Sequence, residues 1–306
     1  MGRLWYALTS RPHLLLIITM LLWAGNSVAG KLAVGYVSPM ILTLGRWTIA
    51  VVFVWAISWR EVQHDWPIIR TKMPYLVLMG CAGYTLFNVM FYSAAEHTSG
   101  INISIEQAAI PLFIFIGNLA VFRIKATARQ LIGFGIGLIG IVLTVTGGNM
   151  LHILNSGLNF GDFLMLVAVI IYAAYSIGLK AKPHLHWKSF FTVMVTAAFL
   201  TSIPFVIWEI SQGRAIYPFN MRGFLVVLYA ALLPSIVSQI FYLLAVEKLG
   251  ANLSGLYINL VPIFGTLMAV ALLGETLKWH HLVALVLVVG GIIYAQTQEK
   301  QVATNK

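Results

Sequence analysis

The sequence predicts an all-α integral membrane protein, and three observations lead to that fold class: an apolar composition, ten long apolar runs and an internal repeat. Apolar residues make up 60% of the 306-residue chain, charged residues make up 9%, and the mean hydropathy is +0.89. A soluble globular domain has about 25% charged residues. The net charge of +10 does not indicate a nucleic-acid partner, because the basic residues lie in the gaps between apolar runs. The expected surroundings of the chain are therefore a lipid bilayer.

The apolar runs have the length of spanning helices, which need about 20 mostly apolar residues. Glycine, proline or charged residues separate each run from the next. The first run is expected to remain as a helix rather than to be removed as a signal peptide, because it continues past the small residues at positions 27–30. In chain order the ten runs are His13–Val34, Met40–Trp59, Pro74–Ala95, Gly100–Phe122, Gln130–Thr146, Gly161–Leu179, Ser189–Trp208, Gly223–Ala245, Ala251–Leu273 and His281–Ala295.

Basic residues predict the orientation of these helices. Fourteen of the 19 lysine and arginine residues fall in gaps on one side of the membrane. Only Arg214, Arg222 and Lys278 fall on the other side, while Lys31 lies near an outer helix end and Arg46 lies inside a helix. Cytoplasmic connections carry the excess of basic residues. Both termini are therefore predicted to be cytoplasmic, in a multi-pass protein of the plasma (inner) membrane.

An internal repeat divides the chain into two halves, residues 1–149 and 150–306. Each half contains five predicted spans, an odd number, so the second half must insert upside down relative to the first. Inverted repeats of this kind are typical of alternating-access carriers, with the substrate site near the midplane where the repeats meet. The repeated residues are Phe91, Tyr92, Ala95, Gly100, Asn102 and Ser104, which recur 150 positions later as Phe241, Tyr242, Ala245, Gly250, Asn252 and Ser254.

Two segments carry a further pattern, LLWAGNSVAGKLAVGYVSPMILTLGRWTIA near the start and AVEKLGANLSGLYINLVPIFGTLMAVALLGETLKWHHLVALVLVVGGIIY near the end. A Trp and a small polar residue precede a Lys in the first helix, a Pro precedes an Arg in the second, and a Pro, a Gly-Glu pair and a glycine-rich last helix close the chain. In these features the sequence resembles an EamA-type carrier of the drug/metabolite transporter (DMT) superfamily. The resemblance implies ten helices and export of small metabolites or amino acids. One departure is that Gly274-Glu275 of the second half is Arg123-Ile124 in the first.

Polar residues inside the spans are the candidates for substrate binding. With a rise of about 1.5 Å per residue, Arg46 lies roughly 9 Å below the outer end of its helix, and Glu106 lies at a similar depth. Aromatic and amide side chains lie nearer the midplane and are expected to line a cavity. The predicted substrate-binding residues are Trp23, Asn26, Arg46, Tyr84, Asn88, Glu106, Gln107, Tyr175, Tyr242, Tyr257 and Asn259.

Three interpretations of Arg46 remain open at this point. The long side chain could extend to the headgroups, it could form a structural ion pair with Glu106, or both charges could face the cavity and bind the two ends of a zwitterion. A charge at this depth costs about 2.5 to 3.5 kcal/mol unless it meets water or a partner. Glu106 is also the candidate carrier of a coupling proton.

The favoured function is secondary transport that exports small metabolites, amino acids or related zwitterions, by alternating access. No cofactor, metal or ATP is expected: the glycines 135, 137 and 140 fit helix packing rather than a dinucleotide site, and the histidine pairs lack metal-ligand spacing. Asp162 is expected at a helix start, where a carboxylate favours the helix dipole. The alternative is an intramembrane enzyme or a flippase-like lipid-handling protein. The chain is not predicted to be an enzyme, because it shows no nucleophile, metal or carboxylate dyad for that chemistry.

Overall fold

The computed structural model describes residues 11–123, 127–149, 159–250, 254–255 and 257–296, and in these residues the chain is helical with no β-strand. Eight of the described helices are long and apolar enough to cross a membrane, and two are shorter apolar helices. The predicted all-α fold is confirmed for this part of the chain. The helices are α1 Pro12–Ala33, α2 Pro39–Thr71, α3 Met73–His97, α4 Gly100–Phe122, α5 Ala128–Val145, α6 Phe160–Ala181, α7 Trp187–Ser211, α8 Met221–Leu249, α9 Leu260–Leu273 and α10 Trp279–Gln296.

Helix α2 is longer than the sequence predicted. The apolar run ends at Trp59, but the helix continues to Thr71 and contains 33 residues. At about 1.5 Å per residue this is about 50 Å, well beyond the ~30 Å hydrocarbon core. An ion pair joins the part of α2 beyond Trp59 to α7: Glu61 Oε1 lies 2.6 Å from Lys188 Nζ. Apolarity therefore marked the membrane-spanning part of α2 and not the end of the helix.

Helices α4 and α9 are interrupted at matching places. A turn at Ala108 and Ala109 divides α4 into Gly100–Gln107 and Ile110–Phe122. A turn at Ile258 and Asn259, 150 positions later, precedes α9. Each turn is followed by a proline, Pro111 or Pro262. A proline has no N–H to donate to the carbonyl four residues earlier, and its ring clashes with that carbonyl. The predicted span from Ala251 is thus divided, and residues 251–253 and 256 lie outside the described residues.

Helices α3 and α8 share a second irregularity, a π-helical segment in the middle of each. These segments are Cys81–Leu86 and Leu233–Val237. The segment of α8 contains Pro234, which cannot continue the regular hydrogen-bond ladder. In α3, Gly83 lies so close to the ring of Tyr175 that a Cβ atom would be 2.5 Å from the ring. Such segments often occur at functional sites, and both of these adjoin the site described below.

Glycines join α5 to α10, as the sequence indicated. A Cβ atom on Gly140 would lie 2.7 Å from the Val288 side chain, and one on Gly291 would lie 2.4 Å from the carbonyl oxygen of Gly133. Small residues let two helix backbones approach closely in a membrane. Gly135, in contrast, has nothing within 4 Å of its Cβ position. The glycine motif therefore serves packing through its interface members.

Helices α2 and α7 hold each other at both ends. At one end the Glu209 carboxylate of α7 accepts hydrogen bonds from the Ser38 hydroxyl at 2.7 Å and from the first backbone amides of α2, Met40 at 3.3 Å and Ile41 at 3.2 Å. At the other end Asp65 of α2 accepts one from the backbone amide of His186, the N-cap of α7, at 2.9 Å. A carboxylate at a helix N-terminus satisfies amides that have no partner within the helix. Each helix therefore caps its neighbour.

Candidate substrate site

Arg46 is the centre of a buried hydrogen-bonded cluster between α2, α3 and α8. Its side chain is 4% exposed and is turned into the bundle. Nη1 donates to Asn88 Oδ1 at 2.5 Å and to the Tyr92 hydroxyl at 2.6 Å. Nε and Nη2 donate to Ser235 Oγ at 3.0 and 2.6 Å. Arg46 thus does not extend to the headgroups. We call Arg46, Asn88, Tyr92, Ser235 and Asn26 the arginine cluster.

The partners of Arg46 are neutral, which contradicts one of the three open interpretations, a structural ion pair with Glu106. The described residues form two ion pairs, Lys188 with Glu61 and, when the histidine is protonated, His64 with Asp65. Neither pair involves Arg46. The Tyr92 hydroxyl donates onward to Asn26 Oδ1 at 2.8 Å. Buried charges are normally paired. The arginine cluster therefore carries a net positive charge with no countercharge from the described side chains.

Two buried N–H groups in this region lack an acceptor. A guanidinium has five N–H donors, and the contacts above use four of them, which leaves one on Nη2. The Nε1 of Trp47 is also buried without a hydrogen-bond partner among the described residues. The guanidinium carbon of Arg46 lies 4.8 Å from the centre of the Trp47 ring. Buried donors are almost always satisfied, so each of these two N–H groups is a candidate donor to an acceptor that the described side chains do not provide.

An aromatic wall, formed by Trp47, Tyr84 and Tyr175, adjoins the arginine cluster. Trp47 and Tyr84 stack with ring centroids 5.1 Å apart and an interplanar angle of 10°, and Tyr84 meets Tyr175 edge-on at 5.9 Å. The backbone carbonyl of Tyr84 accepts a hydrogen bond from Asn88 Nδ2 at 2.5 Å, which joins the wall to the cluster. Aromatic faces attract cations through the negative charge above and below the ring.

A second polar region contains Glu106 and Asp162. Glu106 is fully buried at 0% exposure, and neither of its carboxyl oxygens has a hydrogen-bond partner among the described residues. The first part of α4, which carries Glu106, packs against α6, which carries Asp162. Asp162 Oδ1 accepts a hydrogen bond from the Thr98 hydroxyl and one from Asn102 Nδ2 at 3.4 Å. We call Glu106 and Asp162 the acidic pair.

Asp162 lines a polar cavity of about 900 Å³ at one end of the bundle. The cavity lies among the last residues of α1, α3, α5 and α9 and the first residues of α4, α6 and α10. The sequence predicts this end to face outward, so we call the cavity the outer vestibule. Its charged and titratable lining residues include Lys31, Glu96, His97, Asp162, Glu275, Lys278, His280 and His281.

The remaining predicted residues fall into separate places. Trp23 and Tyr242 contact each other with ring centroids 5.3 Å apart. The Tyr257 hydroxyl is hydrogen-bonded to Nδ1 of His13 at 2.6 Å. Gln107 is half-buried at the break in α4, and Asn259 is 8% exposed at the turn before α9. The structure thus brings together Asn26, Arg46, Tyr84, Asn88 and Tyr175, and it places the other six elsewhere.

The match to a known family can now be set beside this geometry. The model of the EamA-like transporter family matches residues 10–146 and 159–296. The chain belongs to the EamA-like transporter family. This membership agrees with the apolar helices and makes the chain a multi-pass membrane protein with transport as its class of function.

Relatives of this EamA-like transporter are also named as transporters. It is 25% identical to the uncharacterized transporter YetK of Bacillus subtilis (strain 168), over 94% of this chain and 87% of that protein. It is 25% identical to an uncharacterized transporter of Archaeoglobus fulgidus, over 96% and 100%. It is 28% identical to the uncharacterized inner membrane transporter YedA of Escherichia coli (strain K12), over 66% and 64%. A solved crystal structure has the same fold, with a TM-score of 0.63 at 18% identity over 96% of this chain and 99% of that one.

Sequence reasoning missed four residues of this EamA-like transporter's candidate sites. Tyr92 stood out in the repeat, where it recurs as Tyr242, and that signal could have marked it. Trp47 follows Arg46 directly but points its unsatisfied Nε1 into the protein, which a sequence does not show. Ser235 has no signal beyond the proline before it. Asp162 was interpreted as a helix-start carboxylate, and its place beside the part of α4 that carries Glu106 depends on tertiary packing.

Proposed function

We propose that this transporter is a secondary carrier that exports small carboxylate-bearing metabolites, amino acids or related zwitterions, by alternating access. In this proposal the two halves, residues 1–149 and 150–306, are inverted five-helix repeats. The matching breaks of α4 and α9, the matching π-helical segments of α3 and α8 and the reciprocal capping of α2 and α7 support an inverted arrangement. Both termini are proposed to be cytoplasmic, in the inner membrane. Broken helices at the repeat interface are where carriers of this kind bind substrate.

The single observation that carries the proposal is the buried charge of Arg46, which has no countercharge among the described side chains and lies next to the Trp47 ring, whose Nε1–H also lacks an acceptor among them. A substrate carboxylate would supply both the countercharge and the acceptors. The remaining Nη2 N–H of Arg46 and the Nε1–H of Trp47 would donate to the carboxylate, and a lysine could not make the hydrogen bonds that hold the guanidinium to Asn88, Tyr92 and Ser235. The ammonium group of a zwitterion would contact the faces of Tyr84 and Tyr175, since Glu106 does not pair with Arg46.

The test is transport by the purified protein in liposomes, with each of the radiolabelled amino acids offered in turn. Trp47→Phe keeps the ring and removes the N–H donor. A hydrogen bond to a charged group contributes about 1.5–3 kcal/mol, so we expect the KM of a transported amino acid to rise by roughly 10- to 100-fold. Trp55→Phe is the matched control on the same helix, because Trp55 Nε1 already donates to Thr196 Oγ1 at 2.9 Å.

Two results would contradict the proposal. If Trp47→Phe leaves KM unchanged for every transported amino acid, the unsatisfied donors do not bind substrate. If the wild-type protein moves or chemically converts labelled phospholipids and transports no amino acid, the chain is a lipid-handling protein or an enzyme. Arg46→Lys should weaken transport in the first assay, whereas Arg222→Lys, at an exposed site, should not.

A further inference from the structure

Glu106 occupies a position in which a carboxylate has no evident structural role. It is fully buried, and both carboxyl oxygens lack a partner among the described residues. An isolated charge in such a place carries a large desolvation cost. Glu106 also lies in the last turn before the break in α4, and its backbone carbonyl accepts from the amide of Ala109 at 2.9 Å. A change of charge on Glu106 would therefore act directly on the irregular part of α4.

Asp162 connects Glu106 to water. It is 3% exposed and lines the outer vestibule, where the side chains of Glu96 and His97 are exposed to solvent. Asp162 Oδ1 also accepts a hydrogen bond from Asn102 Nδ2 at 3.4 Å, and Asn102 lies one turn before Glu106 on the same face of α4. An ionised Glu106 is an acceptor only and has no donor among the described residues, whereas a bound proton removes its charge. The geometry thus provides a proton-binding place with a polar route to one end of the bundle.

The charged groups around the acidic pair are engaged elsewhere or line the vestibule. Lys31 of α1 donates to the carbonyl oxygens of Ala95 and Thr98, both at 2.8 Å. The Glu275 carboxylate, from the segment after α9, accepts from the first backbone amides of α4 at 2.7 and 2.9 Å. No lysine, arginine or histidine of the described chain forms an ion pair with Glu106 or Asp162. The other titratable groups facing the vestibule are Glu96 and His97 of α3 and Lys278, His280 and His281 at the start of α10.

We propose that Asp162 transfers protons between vestibule water and Glu106, and that this acidic pair couples proton entry to transport. The inference rests on the proposed function, because coupling requires a carrier. A proton that binds from the predicted outer side and leaves on the inner side would drive a metabolite outward. Asp162 acts as the transfer group, and Glu106 holds the proton beside the helix break.

Infrared spectroscopy of the full-length protein in liposomes tests proton binding without any substrate. The C=O stretch of a protonated carboxyl is followed while the pH is changed between acid and alkaline values. We expect a titrating band in the wild-type protein that is absent in Glu106→Gln. In Asp162→Asn the band should respond to a pH jump more slowly by on the order of 10²-fold, because a positioned proton-transfer group contributes about that much to rate. Asp162→Glu should restore the fast response.

Glu96→Gln is the matched control, since it removes a carboxyl that lines the same vestibule and is exposed. It should leave the band and its kinetics unchanged. Thermal unfolding verifies that each variant is folded. If the Glu106 band responds at the wild-type rate in Asp162→Asn, the transfer role is refuted. If the Glu106 band disappears when NaCl replaces choline chloride at constant pH, the acidic pair is a sodium site and the proton proposal fails.

A transport measurement separates this inference from the proposed function. Exchange of a labelled amino acid at equal pH on both sides should persist in Glu106→Gln, while its response to an imposed pH gradient should be lost. If exchange occurs but Glu106→Gln still follows the gradient, the carrier is real and the coupling site is wrong. The wild-type protein could exchange no amino acid while its carboxyl band titrates and responds more slowly in Asp162→Asn. In that case the substrate proposal alone fails.

Discussion

The variant Arg46→Met separates a functional arginine from a structural one. Methionine keeps an unbranched side chain in the buried position and removes the charge. Two neighbours retain partners after the change: the Tyr92 hydroxyl donates to Asn26 Oδ1, and the Ser235 hydroxyl donates to the carbonyl oxygen of Ala230 at 2.7 Å. All three partners lose hydrogen bonds from Arg46, but only Asn88 Oδ1 is left with no hydrogen-bond partner. The damage to the cluster is therefore confined to one acceptor.

The magnitudes follow from this count. A buried acceptor left without a partner costs about 1–3 kcal/mol, and the contact with the Trp47 ring contributes roughly 0.5–2 kcal/mol. Removal of a charge from this depth recovers about 2.5–3.5 kcal/mol. The free energy of unfolding should thus change by no more than about 2.5 kcal/mol, because these contributions partly cancel. Transport of carboxylate substrates should nevertheless be lost.

Thermal unfolding of the purified protein and uptake into liposomes are the two assays. A change of 1 kcal/mol shifts Tm by roughly 2–4 °C in a domain of 150–250 residues, so Tm should stay within about 10 °C of the wild-type value. Arg222→Met is the control, since Arg222 lies over the Tyr36 ring at 4.3 Å at an exposed position. A loss of more than about 4 kcal/mol would show that Arg46 is structural, as for a partner of a buried ion pair. Normal transport by Arg46→Met would refute its role in binding.

Two further predictions concern topology and packing. A cysteine at Gly213 should react with an impermeant thiol reagent added outside intact cells, and a cysteine at His184 should not; the opposite labelling would reverse the orientation. Gly83→Ala should lower the free energy of unfolding by about 1–3 kcal/mol, because its new methyl group overlaps an aromatic ring packed against the π-helical segment of α3. Gly135→Ala, with open space around its Cβ position, should be neutral or stabilising by up to about 1 kcal/mol in a melting experiment, and equal losses in both variants would contradict this account.

The sequence predicted the helices well because apolarity over about 20 residues is a strong local signal. It failed at the end of α2, where helix formation continues past Trp59 through contacts with α7. The ion pair of Glu61 with Lys188 joins residues 127 positions apart. Nothing in the local sequence at Glu61 specifies that partner. The apolarity of a segment therefore does not predict helix ends that depend on contacts with distant segments.

The candidate site was predicted in composition but not in arrangement. The sequence predicted a cavity lining of amides and aromatics nearer the midplane than Arg46, and the structure places Asn88 against the guanidinium of Arg46. Depth alone, however, also placed Glu106 with Arg46, and the structure instead places Glu106 in the part of α4 that packs against α6. Depth fixes one coordinate of a residue in a membrane, whereas the rotation of each helix fixes its neighbours. That rotation depends on packing against other helices.

At one end of the α2–α7 pair a carboxylate of α7 caps α2, and at the other end a carboxylate of α2 caps α7. The two helices are therefore bound to each other at both ends. Sliding one helix along the other by a single turn, about 5.4 Å, would break the bonds of Glu209 and Asp65 at the same time. Both side chains are buried, at 3% and 7% exposure, so neither end could be released into water. We expect α2 and α7 to move together as one rigid body during transport. The change of shape then falls on α4 and α9, where the backbone ladder is already interrupted and a hinge needs no further bonds to be broken.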